Sequence, residues 1–185
     1  MHSRTRVPAL AATLAAAATL FAGPAYAQAP ADQPLAARVV TYDAGASAEF
    51  RAAVDRGAAI WNESVDNVEL RPVASGQRAN IRVVADNGWP RALTTSLGNG
   101  TVYIGRQAVD QGYDTVRISA HELGHILGLP DRKPGPCTSL MSGSSAGVAC
   151  TNPYPNAAEK AEVERDFGAA STRPAHAPAT VTTVD

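Results

Sequence analysis

Excess charge is missing from this sequence: 16 Lys and Arg stand against 17 Asp and Glu, for a net charge of −1. Such a balance offers no electrostatic footprint for a nucleic-acid backbone or an anionic membrane surface. Long apolar runs are nearly absent as well. The one present, Ala9 to Ala22, is too short and too rich in Ala to span a bilayer. Histidine and cysteine are scarce, with four His and two Cys. There is no internal repeat, and 185 residues leave room for one domain.

What is present divides the chain. Arg4 and Arg6 precede the apolar run, and Ala25-Tyr26-Ala27 offers small residues for cleavage, so residues 1–27 read as a secretory signal peptide. Residues 28–38 are Pro/Ala-rich and read as a short pro-segment or linker. They hold no Cys, which excludes a thiolate plug as a latency device. Residues 39–168 form the expected domain, large enough for a single core. Residues 169–185 are polar and Pro-rich and read as a disordered tail. Export implies an oxidising compartment, so Cys137 and Cys150 are expected to pair, the alternative being two free buried thiols.

Along the domain, Val39 to Tyr42 is β-prone. Ser47 to Trp61 carries Phe50, Val54, Ala58 and Trp61 on one helical face, with Ser47 as its cap. Residues 67–73 and 79–85 alternate as strands. Leu93 to Leu97, then Gly98-Asn99-Gly100, then Thr101 to Ile104 predicts a hairpin. A helix is expected over 114–127, irregular chain over 128–155, and a last helix, capped by Asn156, over Ala157 to Phe167. This order reads as a mixed α/β or α+β sandwich, and the fold class expected is α+β, one twisted mixed sheet with three helices.

The second helix carries His-Glu-Leu-Gly-His, residues 121–125. Residues four apart on a helix project from one side, so His121 and His125 make a candidate pair of metal ligands. Val116, Ala120, Leu123 and Leu127 fall on another face and anchor the helix in the core. A hydrolytic zinc site takes three protein ligands and keeps one position open. His2 leaves with the leader and His176 lies in the tail, so a third imidazole is lacking. Asp131 is near, and Gly128 can end the helix in a left-handed conformation and turn the chain toward it. The alternative for Asp131 is a solvated loop carboxylate. Two imidazoles and a carboxylate suit zinc, although copper or nickel accept the same donors. Glu122 follows a ligand directly and can reach a metal-bound water as general base. Met141, in Ser-Leu-Met-Ser-Gly, is either core filler or an apolar floor beneath the metal.

His-Glu-Leu-Gly-His-Ile-Leu-Gly-Leu-Pro-Asp, with Leu-Met-Ser-Gly and Cys-Thr-Asn-Pro-Tyr-Pro-Asn-Ala downstream, resembles the snapalysins, small secreted neutral zinc endopeptidases of the metzincin group. The resemblance covers about Val39 to Phe167. It implies His121, His125 and Asp131 as zinc ligands, Glu122 as base, Met141 in a Met-turn, and a Cys137–Cys150 disulfide. It also implies strand addition of substrate along an edge near Gly100 to Ile104, an aromatic residue just after the cut bond, and calcium at Asp114 and the Val116 carbonyl. For Asp114 the residues equally allow a helix N-cap. Lys133 stands where the family often carries Tyr, so Lys133 is the candidate oxyanion stabiliser. The expected protein is a secreted monomer acting on protein or peptide substrates, free of nucleic acid and of membrane once its leader is removed. The alternatives are a narrow processing protease and a zinc-binding protein without turnover.

Overall fold

The structure is a computed structural model in which residues 36–170 are described. The signal peptide, His2, His176 and most of the expected tail lie outside the described residues.

Five strands form one mixed sheet: β1 (Arg38–Ala46), β2 (Val68–Pro72), β3 (Ile81–Asp86), β4 (Arg91–Ser96) and β5 (Asn99–Gly105). Their order is β2-β1-β3-β5-β4, parallel throughout except for β4, which runs antiparallel to β5. Side chains alternate across a strand, and only one set is buried: Val40, Tyr42 and Ala44 on β1, Ile81 and Val83 on β3, Val102 and Ile104 on β5. That single covered face fits an α+β fold.

The covering helices are α1 (Arg51–Ser64) and α3 (Thr115–Ile126), with α2 (Arg106–Asp110) and α4 (Ala157–Ala170) completing the set. Val54, Ala58 and Trp61 form the buried stripe of α1, as their spacing predicts. Trp61 donates its indole N–H to the Ala120 carbonyl (2.8 Å), locking α1 to α3 inside the core. Asn156 caps α4 by accepting from the amides of Ala158 and Glu159, while Glu159 accepts from the Asn156 amide (2.7 Å), a reciprocal capping box.

Three expectations need correction. Among the described residues the α-helices number four rather than three, because five residues after β5 close into α2. Ser47 caps nothing: its hydroxyl donates to the Ala44 carbonyl, and a 3₁₀ turn, Ala48–Phe50, precedes α1. Most consequentially, Gly100 to Ile104 is not an edge, for β5 pairs with β3 on one side and β4 on the other. The sheet edges are β2 and β4. On β2 the Asn62 side chain bonds both the amide and the carbonyl of Leu70 (2.7 and 2.8 Å), so backbone groups of that edge are already engaged. The edge beside the cleft is β4.

Candidate metal centre

Helix α3 begins where Asp114 Oδ1 accepts from the Arg117 amide (2.8 Å). One turn separates His121 from His125, so both leave the same side of the helix. Ala120, Leu123 and Leu127 face away and are buried, and Val116 is partly buried. The helix ends with the paired bonds of a Schellman motif: the Gly128 amide to the His125 carbonyl (3.1 Å), and the Leu129 amide to the Gly124 carbonyl (3.0 Å). Gly128 sits at φ 102°, a left-handed conformation that side chains resist. The reversal it allows carries Asp131 back to the histidines.

The three side chains converge. His121 Nε2 and His125 Nε2 are 3.2 Å apart, and Asp131 Oδ1 lies 3.3 Å from the first and 3.6 Å from the second. The outer nitrogens are tethered, His121 Nδ1 to the Leu140 carbonyl (3.0 Å) and His125 Nδ1 to the Leu129 carbonyl (2.8 Å). A carbonyl only accepts, so each Nδ1 carries the proton and each Nε2 faces the shared space. Among the described residues, Glu122 Oε2 and Asp131 Oδ1 are buried oxygens without a hydrogen-bond partner. Both stand at this spot, and two orphaned carboxylate oxygens beside two imidazole nitrogens call for a cation. Bonds of about 2.0–2.2 Å in a tetrahedron put neighbouring donors about 3.3–3.6 Å apart, close to the spacings found. The residues therefore fit a zinc ion, and no other group of three such side chains occurs among the described residues.

Electrostatics agree. Burial lowers the basicity of His121, but the Asp131 carboxylate, which accepts a hydrogen bond from the protonated ring, and the Glu122 charge outweigh it and raise its pKa. His125 falls to about 4, through burial first and the His121 charge second. Asp131 is held well below the usual carboxylate range: burial opposes this, and His121 and Lys133 overcome it. Glu122, 4% exposed, is raised to about 7 by burial. It can thus take up and release a proton near neutrality.

Met141 lies beneath the helix. A Cβ on Gly124 would meet Met141 Sδ at 2.8 Å and Trp61 Cζ2 at 3.1 Å, so only glycine lets the helix rest this closely on its floor. Lys133 Nζ bonds Asp131 Oδ2 (2.9 Å), and its side chain is 38% exposed at the cleft wall. Asp114 is the cap of α3 and belongs to no metal-like group of three. Cys137 and Cys150 form a disulfide with Cα atoms 5.5 Å apart, closing the loop that contains Met141. The cleft, about 320 Å³, runs between β4 and the loop before it (Trp89 to Ala92), α3, and the Gly143–Ser144 turn.

Two charged residues escaped the sequence reading. Arg117 is buried and donates to the carbonyls of Asn152 (2.5 Å), Ser139 (2.8 Å) and Leu140 (3.3 Å) and to Ser142 Oγ (2.9 Å). Its position four residues before His121, on the same helical stripe, was the available signal. Glu159 is also buried, against the Met141 turn. The capping-box pattern was visible in the sequence, but its contacts across the fold were not.

Comparison with known proteins places the chain. A family model described as the Streptomyces extracellular neutral proteinase (M7) family matches residues 37–169. An extracellular small neutral protease of Streptomyces lividans is 42% identical over 137 residues, which cover 73% of this chain and 60% of that protein. Another, from Streptomyces sp. (strain C5), is 42% identical over 130 residues, 70% of this chain and 56% of that protein. The chain thus spans less than two thirds of the length of these two relatives. The protein of the same description from Streptomyces caespitosus is 44% identical over 126 residues, 67% of this chain and 92% of its own length. The match takes in both sheet edges, the helix with its two histidines, the turn to Asp131 and the disulfide loop: the chain belongs to the Streptomyces extracellular neutral proteinase (M7) family, in keeping with its snapalysin-like motifs.

Proposed function

We propose that the protein is a secreted zinc endopeptidase with His121, His125 and Asp131 as ligands and Glu122 as general base. The observation that carries this reading is the meeting of two imidazole nitrogens with two partnerless carboxylate oxygens in one buried spot. The relatives' description as extracellular small neutral proteases supports both the reaction and the location.

Zinc held by these ligands supplies Lewis acidity and brings the pKa of a bound water to about 7. The remaining work belongs to the chain. Glu122 takes the proton of the attacking water and hands it to the departing amine, a double duty suited to a carboxyl raised to about 7. β4 offers its free edge to an extended substrate, pairing backbone to backbone antiparallel or parallel as the strand allows. Trp89, Tyr113 and Ile118 line the cleft beside His121, an apolar setting for an aromatic side chain just after the cut bond. Lys133 leaves Asp131 Oδ2 to stabilise the charge that develops on the substrate carbonyl oxygen. Calcium at Asp114 and the Val116 carbonyl rests on the family resemblance alone. A zinc-binding protein without turnover is the weaker alternative, because nothing in such a role employs Glu122.

The test is metal analysis of the purified protein together with casein digestion and a peptide-library digest. One zinc per chain, loss of proteolysis on chelation and cuts before aromatic residues are expected. Full metal content and full proteolysis in an Asp131→Ala variant would remove the coordination scheme.

A further inference from the structure

Glu159 is a fully buried carboxylate on the first turn of α4. An ionised carboxyl is costly to bury, and the capping of α4 accounts for only one of its bonds, that from the Asn156 amide. The other three come from a single turn. Ser139 Oγ donates at 2.6 Å, the Leu140 amide at 3.1 Å and the Met141 amide at 2.9 Å. All four donors are neutral. Burial opposes ionisation, yet the bonds from Ser139, Met141, Asn156 and Leu140 together hold the group below its ordinary range, so it is charged at neutral pH.

The turn it grips also grips the metal centre. The Leu140 carbonyl and the Met141 amide are the two ends of one peptide group. The carbonyl end accepts from His121 Nδ1 (3.0 Å), and the amide end donates to Glu159 Oε1 (2.9 Å). The same Leu140 carbonyl also accepts from Arg117 Nη2, which holds the Ser139 carbonyl as well. A metal-binding histidine commonly donates its second N–H to a carboxylate, which fixes the ring and raises its basicity. Here a peptide group stands between the carboxylate and the imidazole. A negative charge on the amide end polarises the peptide and makes its carbonyl a stronger acceptor.

We propose that Glu159 is a positioning residue for the metal centre, acting on His121 through the Leu140–Met141 peptide. The inference rests on the reading of His121 as a zinc ligand. It assigns the last helix a part in metal retention, in addition to packing.

The test compares Glu159→Gln with Val163→Ala, which lies one turn further along α4, is fully buried and has no polar side-chain atom to bond the turn. Zinc affinity is measured by competition with a chromophoric chelator, and the His121 Nδ1–H resonance is followed by NMR in the zinc-loaded protein. Glu159→Gln is expected to weaken zinc binding about 10–100-fold and to move that resonance upfield. Val163→Ala lowers thermal stability but leaves affinity within about twofold, because a valine carries no charge to polarise the Leu140–Met141 peptide. Should Glu159→Gln not fold, Glu159→Asp retains the charge and withdraws it by one methylene; it is expected to weaken zinc binding in the same direction. Affinity equal to that of Val163→Ala at a matched loss of stability, with an unmoved resonance, overturns the inference, as does wild-type affinity in Glu159→Asp. Wild-type protein that binds no zinc sinks the reading of the site itself. Wild-type protein that binds zinc and cuts casein, beside an unaffected Glu159 variant, sinks only the relay.

Discussion

Glu122→Gln separates the proposed role of Glu122 in the reaction from its cost to the fold. The side chain is 4% exposed and one of its oxygens has no partner. Burial raises its pKa from 4.5 to about 7. Below pH 4.5 the group is protonated both folded and unfolded, and contributes no penalty. As pH climbs, the unfolded chain ionises first, so the folded state loses stability until about pH 7, above which the penalty is complete. A shift from 4.5 to about 7 amounts to about 3 kcal/mol. Gln has nearly the same shape and never ionises. In chelator-stripped protein the variant should match wild type at pH 4 and be up to about 3 kcal/mol more stable at pH 8, roughly 10 °C in melting temperature for a domain of this size. That figure is an upper bound, because the Glu122 charge also favours the proton on His121, and its loss returns part of the gain.

Activity should move the other way. A positioned general base contributes about 10²–10⁴ in rate, so kcat/KM on a fluorogenic peptide should fall by that factor. Zinc content should hold at one per chain, because the proposed ligands His121, His125 and Asp131 are untouched. Thermal melts at pH 4 and pH 8, metal analysis and peptide kinetics on the same preparations complete the assay. An equal gain at both pH values would show that ionisation is not its source, and undiminished kcat/KM would end the assignment of Glu122 as base.

Three further outcomes follow from the geometry. Gly124→Ala gains about 0.8–1.0 kcal/mol in helix propensity but forces a methyl against Met141 Sδ and Trp61 Cζ2, an overpacking that costs about 1–3 kcal/mol. A net loss in urea unfolding is expected, and a net gain would show that the floor is not tight. Lys133→Ala, assayed at saturating zinc, should lower kcat/KM by about 10² if the ammonium serves the oxyanion; unchanged kinetics would leave Lys133 only its tie to Asp131 Oδ2. Because the folded pKa of Glu159 is depressed, its stabilisation is present above the unfolded carboxyl pKa of about 4.3 and drains away as pH falls through the lower folded value. Wild type should therefore lose melting temperature between pH 5 and pH 3 more steeply than Glu159→Gln, and parallel curves would contradict the assigned charge.

The parts of this molecule that sequence revealed are those set by short spacing. His121, Glu122, His125, Gly128 and Asp131 lie within eleven residues, so one helical turn and one left-handed glycine suffice to predict their meeting. The identity of the open edge was lost because strand order is a long-range property: the hairpin was legible, but which of its strands meets β3 depends on pairing such as Ile81 with Gly100. A cue existed in composition, since Val102 and Ile104 alternate as buried residues on β5 while β4 ends in Thr94, Thr95 and Ser96. Arg117 and Glu159 were hidden for a different reason. Charged residues default to the surface, and most of the partners that repay their burial lie in residues 139–142, far along the chain. The same holds for the orientation of the two candidate metal-binding histidines. Each imidazole is turned by a carbonyl, that of Leu129 or Leu140, and a carbonyl is common to every residue type. Side-chain identity thus encodes which atoms are available to hold a cation, whereas the path of the backbone decides whether those atoms point at one another.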